Sequence, residues 1–87
     1  MGRLRMPLSL AEIANVTFYR RDDPEAELVC CEVEIRGRRY FFHERSQIWS
    51  QLIRRLETLP GFRRDWRALM KKARGASRRM VAFERSA

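Results

Sequence analysis

The chain has 87 residues and a formal net charge of +8, with 19 Lys and Arg against 11 Asp and Glu. A chain of this length forms a single domain, residues 1–87, and its 45% apolar content argues against disorder. It has no apolar run near the roughly 20 residues that span a bilayer, and residues 1–8 lack the apolar stretch of a secretory signal, so we expect a flexible N-terminus and a cytoplasmic protein.

The first half of the chain predicts three β-strands. Residues 16–19 are β-branched and aromatic, and the acids and proline of residues 22–25 indicate a turn after them. Residues 28–36 predict the second strand, and from Cys31 onward apolar side chains alternate with charged ones, as in a half-buried antiparallel strand. Gly37 allows a two-residue turn into a third strand at residues 38–43. The register of this hairpin matches apolar with apolar and acidic with basic residues: Val33 with Tyr40, Cys31 with Phe42, and Glu34 with Arg39.

The second half of the chain predicts two helices and a last strand. Ser46 is a preferred N-cap residue, and Pro60 and Gly61 end the first helix. A second helix is predicted at residues 62–74, and residues 80–83 form the final strand. The apolar stripes of the two helices are Ile48, Trp49, Leu52, Ile53, Leu56 and Leu59, and then Phe62, Trp66, Leu69, Met70 and Ala73. The sequence therefore predicts an α+β fold: a small antiparallel sheet of three N-terminal strands and one C-terminal strand, with two amphipathic helices packed on one face.

No constellation in the sequence predicts catalysis. The single histidine, His43, lies opposite Cys30 in the predicted hairpin, but no neighbouring motif supports activation of that thiol. Cys30 and Cys31 are adjacent in a strand and point to opposite faces, so they neither bridge each other nor share a metal ion. The sequence also lacks a phosphate-binding glycine loop. We therefore expect a non-enzymatic protein with reduced, inert thiols, and without catalytic residues, cofactor, metal site or small-molecule substrate.

The positive charge is concentrated in the second half of the chain. Residues 45–87 hold 12 Lys and Arg against 3 Asp and Glu, whereas residues 1–44 hold 7 against 8. Five cations share one arc of the second predicted helix, beside its apolar stripe and with no acid among them: Arg63, Arg64, Arg67, Lys71 and Arg74. Such an arc suits a phosphate backbone or anionic lipid, and it is also the ordinary solvated face of a soluble helix.

Residues 35–62 have the order of a strand hairpin followed by an amphipathic helix. They begin with IRGRRYFFHERSQIW and continue with LIRRL and LPGF. This stretch, about a third of the chain, resembles the C-terminal part of bacterial pleckstrin-homology-like domains. The resemblance implies a binding scaffold rather than an enzyme. Complete domains of that family have more strands before their helix than the three predicted here, so the resemblance implies half of such a fold, completed by dimerisation through strand edges.

The sequence leaves several binding functions open. A small sheet with open edges, on which Tyr19 and Phe41 fall outside the predicted core, favours an interaction module that forms a homo-oligomer or binds another protein. The alternative is nucleic-acid binding through the basic face of residues 62–74. Docking on an anionic membrane surface through the same cations is the third interpretation.

Overall fold

A computed structural model describes residues 9–22, 27–72 and 79–85. The elements in chain order are a 3-10 turn (Leu10–Glu12), β1 (Ile13–Asp22), β2 (Glu27–Ile35), β3 (Arg38–His43), α1 (Trp49–Leu56), α2 (Trp66–Lys72) and β4 (Arg79–Glu84). The four strands form one antiparallel sheet in the order β3-β2-β1-β4. The predicted α+β fold, including its C-terminal strand, is therefore confirmed.

Some sequence predictions fall outside the described residues. These are the flexible segment at residues 1–8, most of the turn at residues 22–25, and the end of the second predicted helix beyond Lys72. Within the described residues, β1 is longer than its β-branched centre predicts, because its two ends also pair with β2.

The hairpin between β2 and β3 has the predicted register. Arg36 and Gly37 form its two-residue turn with φ angles of 52° and 78°, and positive φ at both positions is typical of a type I′ turn. Gly37 adopts this conformation without the steric cost that a Cβ adds. All three predicted pairs are present: Val33 with Tyr40, Cys31 with Phe42, and Glu34 with Arg39.

The hydrophobic core lies on one face of the sheet, beneath the two helices. Phe18 of β1 is fully buried, and its ring stacks on that of Trp66 with 4.0 Å between the centroids. The rings of Trp49 and Phe62 meet Phe18 edge-on, each at 6.3 Å. The buried side chains around this aromatic group include Val16, Cys31, Val33, Ile35, Leu52, Leu56 and Met70. Both tryptophans therefore pack between helices and sheet, as their helical spacing predicts.

The first helix begins later than the sequence predicts. Its N-cap is Ile48, which makes no side-chain capping bond, so the prediction of Ser46 as the N-cap is wrong. Ser46 instead belongs to a turn that follows β3: its N–H donates to the C=O of His43 at 2.9 Å, and its C=O accepts the N–H of Trp49 at 3.1 Å. The helix ends at Leu56, ahead of Pro60.

The second helix begins at Trp66 rather than at Phe62. Phe62 is buried in the core, and the N–H of Arg63 donates to the C=O of Ala82 at 2.8 Å. This bond and the buried Phe62 side chain anchor the segment before α2 to β4 and the core. The apolar spacing at Phe62 is that of a helix, but residues 62–65 are not helical in the structure.

Candidate interaction surfaces

Strand β3 is the most exposed strand of the sheet. It lies at one edge, and its first four residues, 38–41, are all exposed. Tyr40 is 39% exposed and Phe41 is 61% exposed, and these neighbouring side chains point to opposite faces. The predicted exposure of Phe41 is confirmed. An edge strand with exposed aromatic side chains on both faces is suited to contact with another chain.

The backbone of β3 alternates between groups that bond to β2 and groups that point away from it. The two-residue turn makes Ile35 and Arg38 a hydrogen-bonded pair, and the N–H of Glu44 donates to the C=O of Val29 at 3.0 Å. Both observations show that the backbone groups of the even-numbered residues of β3 point towards β2. The residues whose backbone groups point away from β2 are Arg39, Phe41 and His43. Within the described residues, no strand pairs with this side of β3.

The opposite edge of the sheet, β4, is partly closed. The N–H of Arg63 donates a hydrogen bond to the C=O of Ala82 on this edge. The pairing of β1 with β4 also shifts register between Val16 and Thr17, which places a bulge in the strand. Bulges and bonds from neighbouring segments both protect an edge from pairing with another chain. The two edges are therefore not equivalent.

On the face of the sheet opposite the helices, the charged side chains pair with one another. The Glu32 side chain is only 13% exposed, and its carboxylate lies 2.7 Å from the Arg79 guanidinium and 3.5 Å from that of Arg39. The Arg79 guanidinium also lies over the ring of Tyr19, 5.0 Å from its centroid. Tyr19, which the sequence predicts to be exposed, is consequently half-buried.

The five predicted anion-binding residues do not form one arc of one helix. Arg63 and Arg64 precede α2, in the segment that bonds to β4. Arg67 and Lys71 lie on the helix, and Arg74 lies outside the described residues. The four that are described are all exposed. The prediction of a continuous basic helix over residues 62–74 is therefore wrong at its start, because the chain there follows the edge of the sheet.

Two of these cations already have acidic partners. The Arg63 guanidinium donates to the Asp65 carboxylate at 3.1 and 3.2 Å, and these hydrogen bonds hold the pKa of Asp65 below its usual value. The Arg67 guanidinium donates to the Glu57 carboxylate at 3.1 Å and lies 4.6 Å from the ring centroid of Trp66. Exposed ion pairs of this kind are weak and screened by salt, so both guanidinium groups stay accessible to a competing anion.

Basic residues extend over the whole segment that contains both helices. We call residues 45–72 the helix segment; it holds eight Lys and Arg against two Asp and Glu. All eight cations are exposed. The cations of this segment that the predicted helical arc did not include are Arg45, Arg54, Arg55 and Lys72. The signal that could have found them is the charge imbalance of the second half of the chain, because it does not depend on the limits of any one helix.

A cleft of about 210 Å³ opens where the helix segment meets β1 and β2. Trp49, Trp66 and Met70 contribute its apolar lining, and Arg20 and Lys71 contribute cations. The Arg20 guanidinium, however, donates to the C=O of Met70 at 2.6 and 3.1 Å. Because this C=O lies in the last turn of the described helix, Arg20 closes the end of α2 and is not free to bind a ligand.

The thiols are not activated as nucleophiles. Cys30 pairs with His43 across β2 and β3, as the hairpin register predicts. Burial raises the pKa of the Cys30 thiol, and burial raises the pKa of the Cys31 thiol far above its usual value. The Nδ1 atom of His43 accepts the backbone N–H of Arg45 at 3.2 Å. Both thiols are therefore protonated at neutral pH, whereas the thiolate is the nucleophilic form.

The chain matches no protein-family model, and no curated protein or solved structure is significantly similar to it. Among the residues that the structure describes, no three His, Cys, Asp or Glu side chains are grouped so that they could hold a metal ion. In the same part of the chain, no helix is long and apolar enough to cross a membrane. The functional inference therefore depends on the two surfaces: the edge of β3 and the helix segment.

Proposed function

We propose that this protein is a non-enzymatic interaction module that binds an extended strand of a protein partner along the free edge of β3. The observation that carries the proposal is the exposure of β3 on both faces, beside outward-pointing backbone groups at alternate residues. In strand addition of this kind, backbone hydrogen bonds supply affinity and the alternating side chains supply selectivity.

The composition of β3 supports this proposal. A proline or a bulge protects a strand edge from pairing with another chain, and β3 has neither. Its exposed apolar side chains, Tyr40 and Phe41, would lose contact with water when a strand is added. Arg38 and Arg39 are its charged residues. A partner strand that alternates acidic and apolar residues fits this edge best.

The sharpest test replaces Phe41 with proline. The N–H of Phe41 points away from β2, so Phe41→Pro removes a donor from the free edge and leaves the hydrogen bonds of the hairpin in place. The probe is a synthetic peptide of alternating Glu and Val, titrated into dilute isotopically labelled protein and followed by NMR. We expect the amide signals of Arg39, Phe41 and His43 to shift in the natural sequence. Phe41→Pro should weaken peptide binding by roughly tenfold or more.

The matched control for this test is Phe41→Val. Valine keeps the backbone N–H and has a high strand propensity, so this variant should still bind the peptide. Peptide binding that survives Phe41→Pro, or signal shifts confined to α1 and α2, would contradict the proposed function.

A second candidate function, nucleic-acid binding, is favoured by the charge of the helix segment. Its eight exposed cations outnumber its two acids. Cations that neutralise phosphates release the counterions condensed on the nucleic acid, and this release drives binding without sequence specificity. The stretch from Arg63 to Lys71 contributes the cations that precede α2 and those that lie on it.

Nucleic-acid binding can be tested by fluorescence anisotropy with a labelled DNA duplex at two salt concentrations. We expect the affinity to fall steeply as salt rises and to fall several-fold in Lys71→Glu. The control is Arg21→Glu, which makes the same charge change at an exposed position on a strand. Equal effects of the two substitutions would exclude a site on the helix segment. Retention on anionic vesicles without DNA binding would assign the same cations to a membrane surface.

Two further observations bear on the location and the role of the protein. The two buried cysteines are unpaired, which suits a reducing compartment, and we therefore propose a cytoplasmic location. The resemblance of residues 35–62 to the end of bacterial pleckstrin-homology-like domains also implies a binding scaffold.

A further inference from the structure

We infer that the partner strand is the β3 of a second copy of this chain, in the antiparallel register that sets Phe41 opposite the partner's Phe41. This inference rests on the proposed function, because it assigns the occupant of the same edge. It is argued from the hydrogen-bond pattern of β3, from the order of its side chains, and from the charges at its two ends.

The hydrogen-bond pattern limits the register. Arg39, Phe41 and His43 point their backbone groups away from β2, so they must face odd-numbered residues of the partner. Setting Phe41 opposite the partner's Phe41 also sets Arg39 opposite the partner's His43. All three residues with outward-pointing backbone groups then face such a residue of the partner. The C=O of His43 already accepts the N–H of Ser46 at 2.9 Å. The remaining free groups supply four backbone hydrogen bonds: two between the Phe41 residues, and two from the His43 N–H groups to the Arg39 carbonyls.

The same register matches the side chains. Phe41, which is 61% exposed, meets the partner's Phe41 at the two-fold axis, on the face opposite the helices. On the helix side, Tyr40 lies opposite the partner's Phe42, and Arg38 lies opposite the partner's Glu44. Apolar side chains thus meet apolar ones, and a cation meets an anion at each end of the paired strands.

The neighbouring registers that the hydrogen-bond pattern allows are less favourable. Sliding the partner strand by two residues in one direction sets Arg39 opposite the partner's Phe41 and leaves His43 opposite the turn residue Gly37 of the partner. The same shift in the other direction sets Arg39 opposite the partner's Arg45, and like charges directly opposite each other destabilise a strand pair. The register centred on Phe41 avoids both faults, which is why a second copy suits this edge.

Pairing in this register has a consequence for the helix segment. Residues opposite each other in an antiparallel pair lie on the same face, so the two-fold axis is perpendicular to the sheet. The four strands of each copy then form one continuous sheet, with both helix segments on the same side. Each segment brings eight Lys and Arg against two Asp and Glu. The dimer therefore presents a basic surface twice as large as that of one copy.

Disulfide trapping tests the register directly. Arg39→Cys and His43→Cys proteins are mixed and oxidised, and we expect them to cross-link with each other. The Cα atoms of a hydrogen-bonded antiparallel pair lie about 5.5 Å apart, which a disulfide can bridge. Arg39→Cys alone should cross-link poorly, because the two copies of residue 39 lie about 13 Å apart in this register. Both variants also carry Cys30→Ser, because Cys30 lies directly opposite residue 43 and would otherwise form a disulfide with the new thiol of His43→Cys within one copy. Cys31 is fully buried on the other face of β2.

Sedimentation equilibrium of the unmodified chain gives an independent measurement. Pairing of two six-residue strands buries less than the roughly 1,200 Å² of a stable interface, so we expect a dissociation constant on the order of 10–100 μM. Phe41→Pro should be monomeric at concentrations where the natural sequence dimerises, and Phe41→Val, which keeps the N–H, should dimerise more strongly than Phe41→Pro.

The outcomes separate this inference from the proposed function. A chain that stays monomeric to millimolar concentration, while the Glu–Val peptide still binds the edge, overturns the second copy and leaves strand addition in place. Arg39→Cys that cross-links with itself as fast as with His43→Cys overturns the register. A dimer that Phe41→Pro does not weaken uses another surface and overturns the second copy at this edge. The proposed function is overturned as well only if peptide binding also survives Phe41→Pro.

Discussion

The two edges of the sheet differ although their strands are equally long. In β4, Ala82 and Phe83 are buried, and the N–H of Arg63 bonds to the edge itself. In β3, four of six residues are exposed although half of the strand is aromatic. The difference arises from connectivity. β4 follows α2 along the chain and packs against it, whereas β3 lies at the other edge, separated from β4 by the two central strands. Apolar content alone therefore does not decide whether a strand belongs to the core or to an interface.

A matched pair of phenylalanine substitutions should give the largest contrast between the two regions. Phe18→Leu removes a fully buried ring that contacts three other aromatic rings, and we expect it to lower the free energy of unfolding by about 1–3 kcal/mol. Phe41→Leu, at the exposed edge, should change it by less than about 0.5 kcal/mol. Urea unfolding in dilute solution measures both. Equal losses would mean that β3 is covered, and the contrast between the edges would disappear.

A matched pair of arginine substitutions should give the next largest contrast. The Arg20 side chain is 17% exposed and holds the C=O of Met70 as well as the Glu27 carboxylate. Arg20→Met leaves that C=O without its donor, and we expect a loss of about 1–2 kcal/mol. Arg21→Met, at an exposed position, should cost less than about 0.5 kcal/mol. If the thermal unfolding midpoints of the two variants agree, Arg20 does not hold α2 against β1.

A smaller effect is expected where the two edges are linked. Glu32 lies between Arg39 of β3 and Arg79 of β4, so its carboxylate connects side chains from both edges. Glu32→Gln removes this shared charge and should lower the free energy of unfolding by about 0.5–1 kcal/mol, less at high salt. The control is Glu34→Gln on the same strand, for which we expect less change. A Glu32→Gln loss that salt does not reduce would show that packing, not charge, is responsible.

The last prediction concerns the pH dependence of the free energy of unfolding that the buried thiols cause, an effect that is smallest at neutral pH. Burial raises the pKa of Cys31 in the folded chain, whereas the unfolded thiol ionises at about pH 8.5. The stability from the protonated thiol is fully present below that pH and falls as pH rises above it, because only the unfolded chain then loses the proton. We expect Cys31→Ala to flatten the loss of stability between pH 8.5 and 10, measured by urea unfolding. An unchanged slope would contradict burial of this thiol.

Prediction from sequence succeeded where local chemistry is decisive. The alternation of residues 31–36 and the positive-φ turn at Gly37 specified the β2–β3 hairpin, including its register, because both signals lie within one short segment. The helical spacing of Trp49 and Trp66 placed both rings in the core. Prediction failed at the helix starts, since the turn at Ser46 and the bond between Arg63 and Ala82 depend on the sheet.

The candidate site divides in the same way. The sequence by itself determined the four strands, the two apolar helix faces and the excess of cations after residue 44, because periodicity and charge are properties of neighbouring residues. Only the tertiary structure decided which edge is closed, that Arg63 and Arg67 carry acidic partners, and that no described strand pairs with the outer edge of β3. These depend on which segments far apart in the chain come together, and such long-range contacts follow from packing of the whole domain rather than from any local pattern.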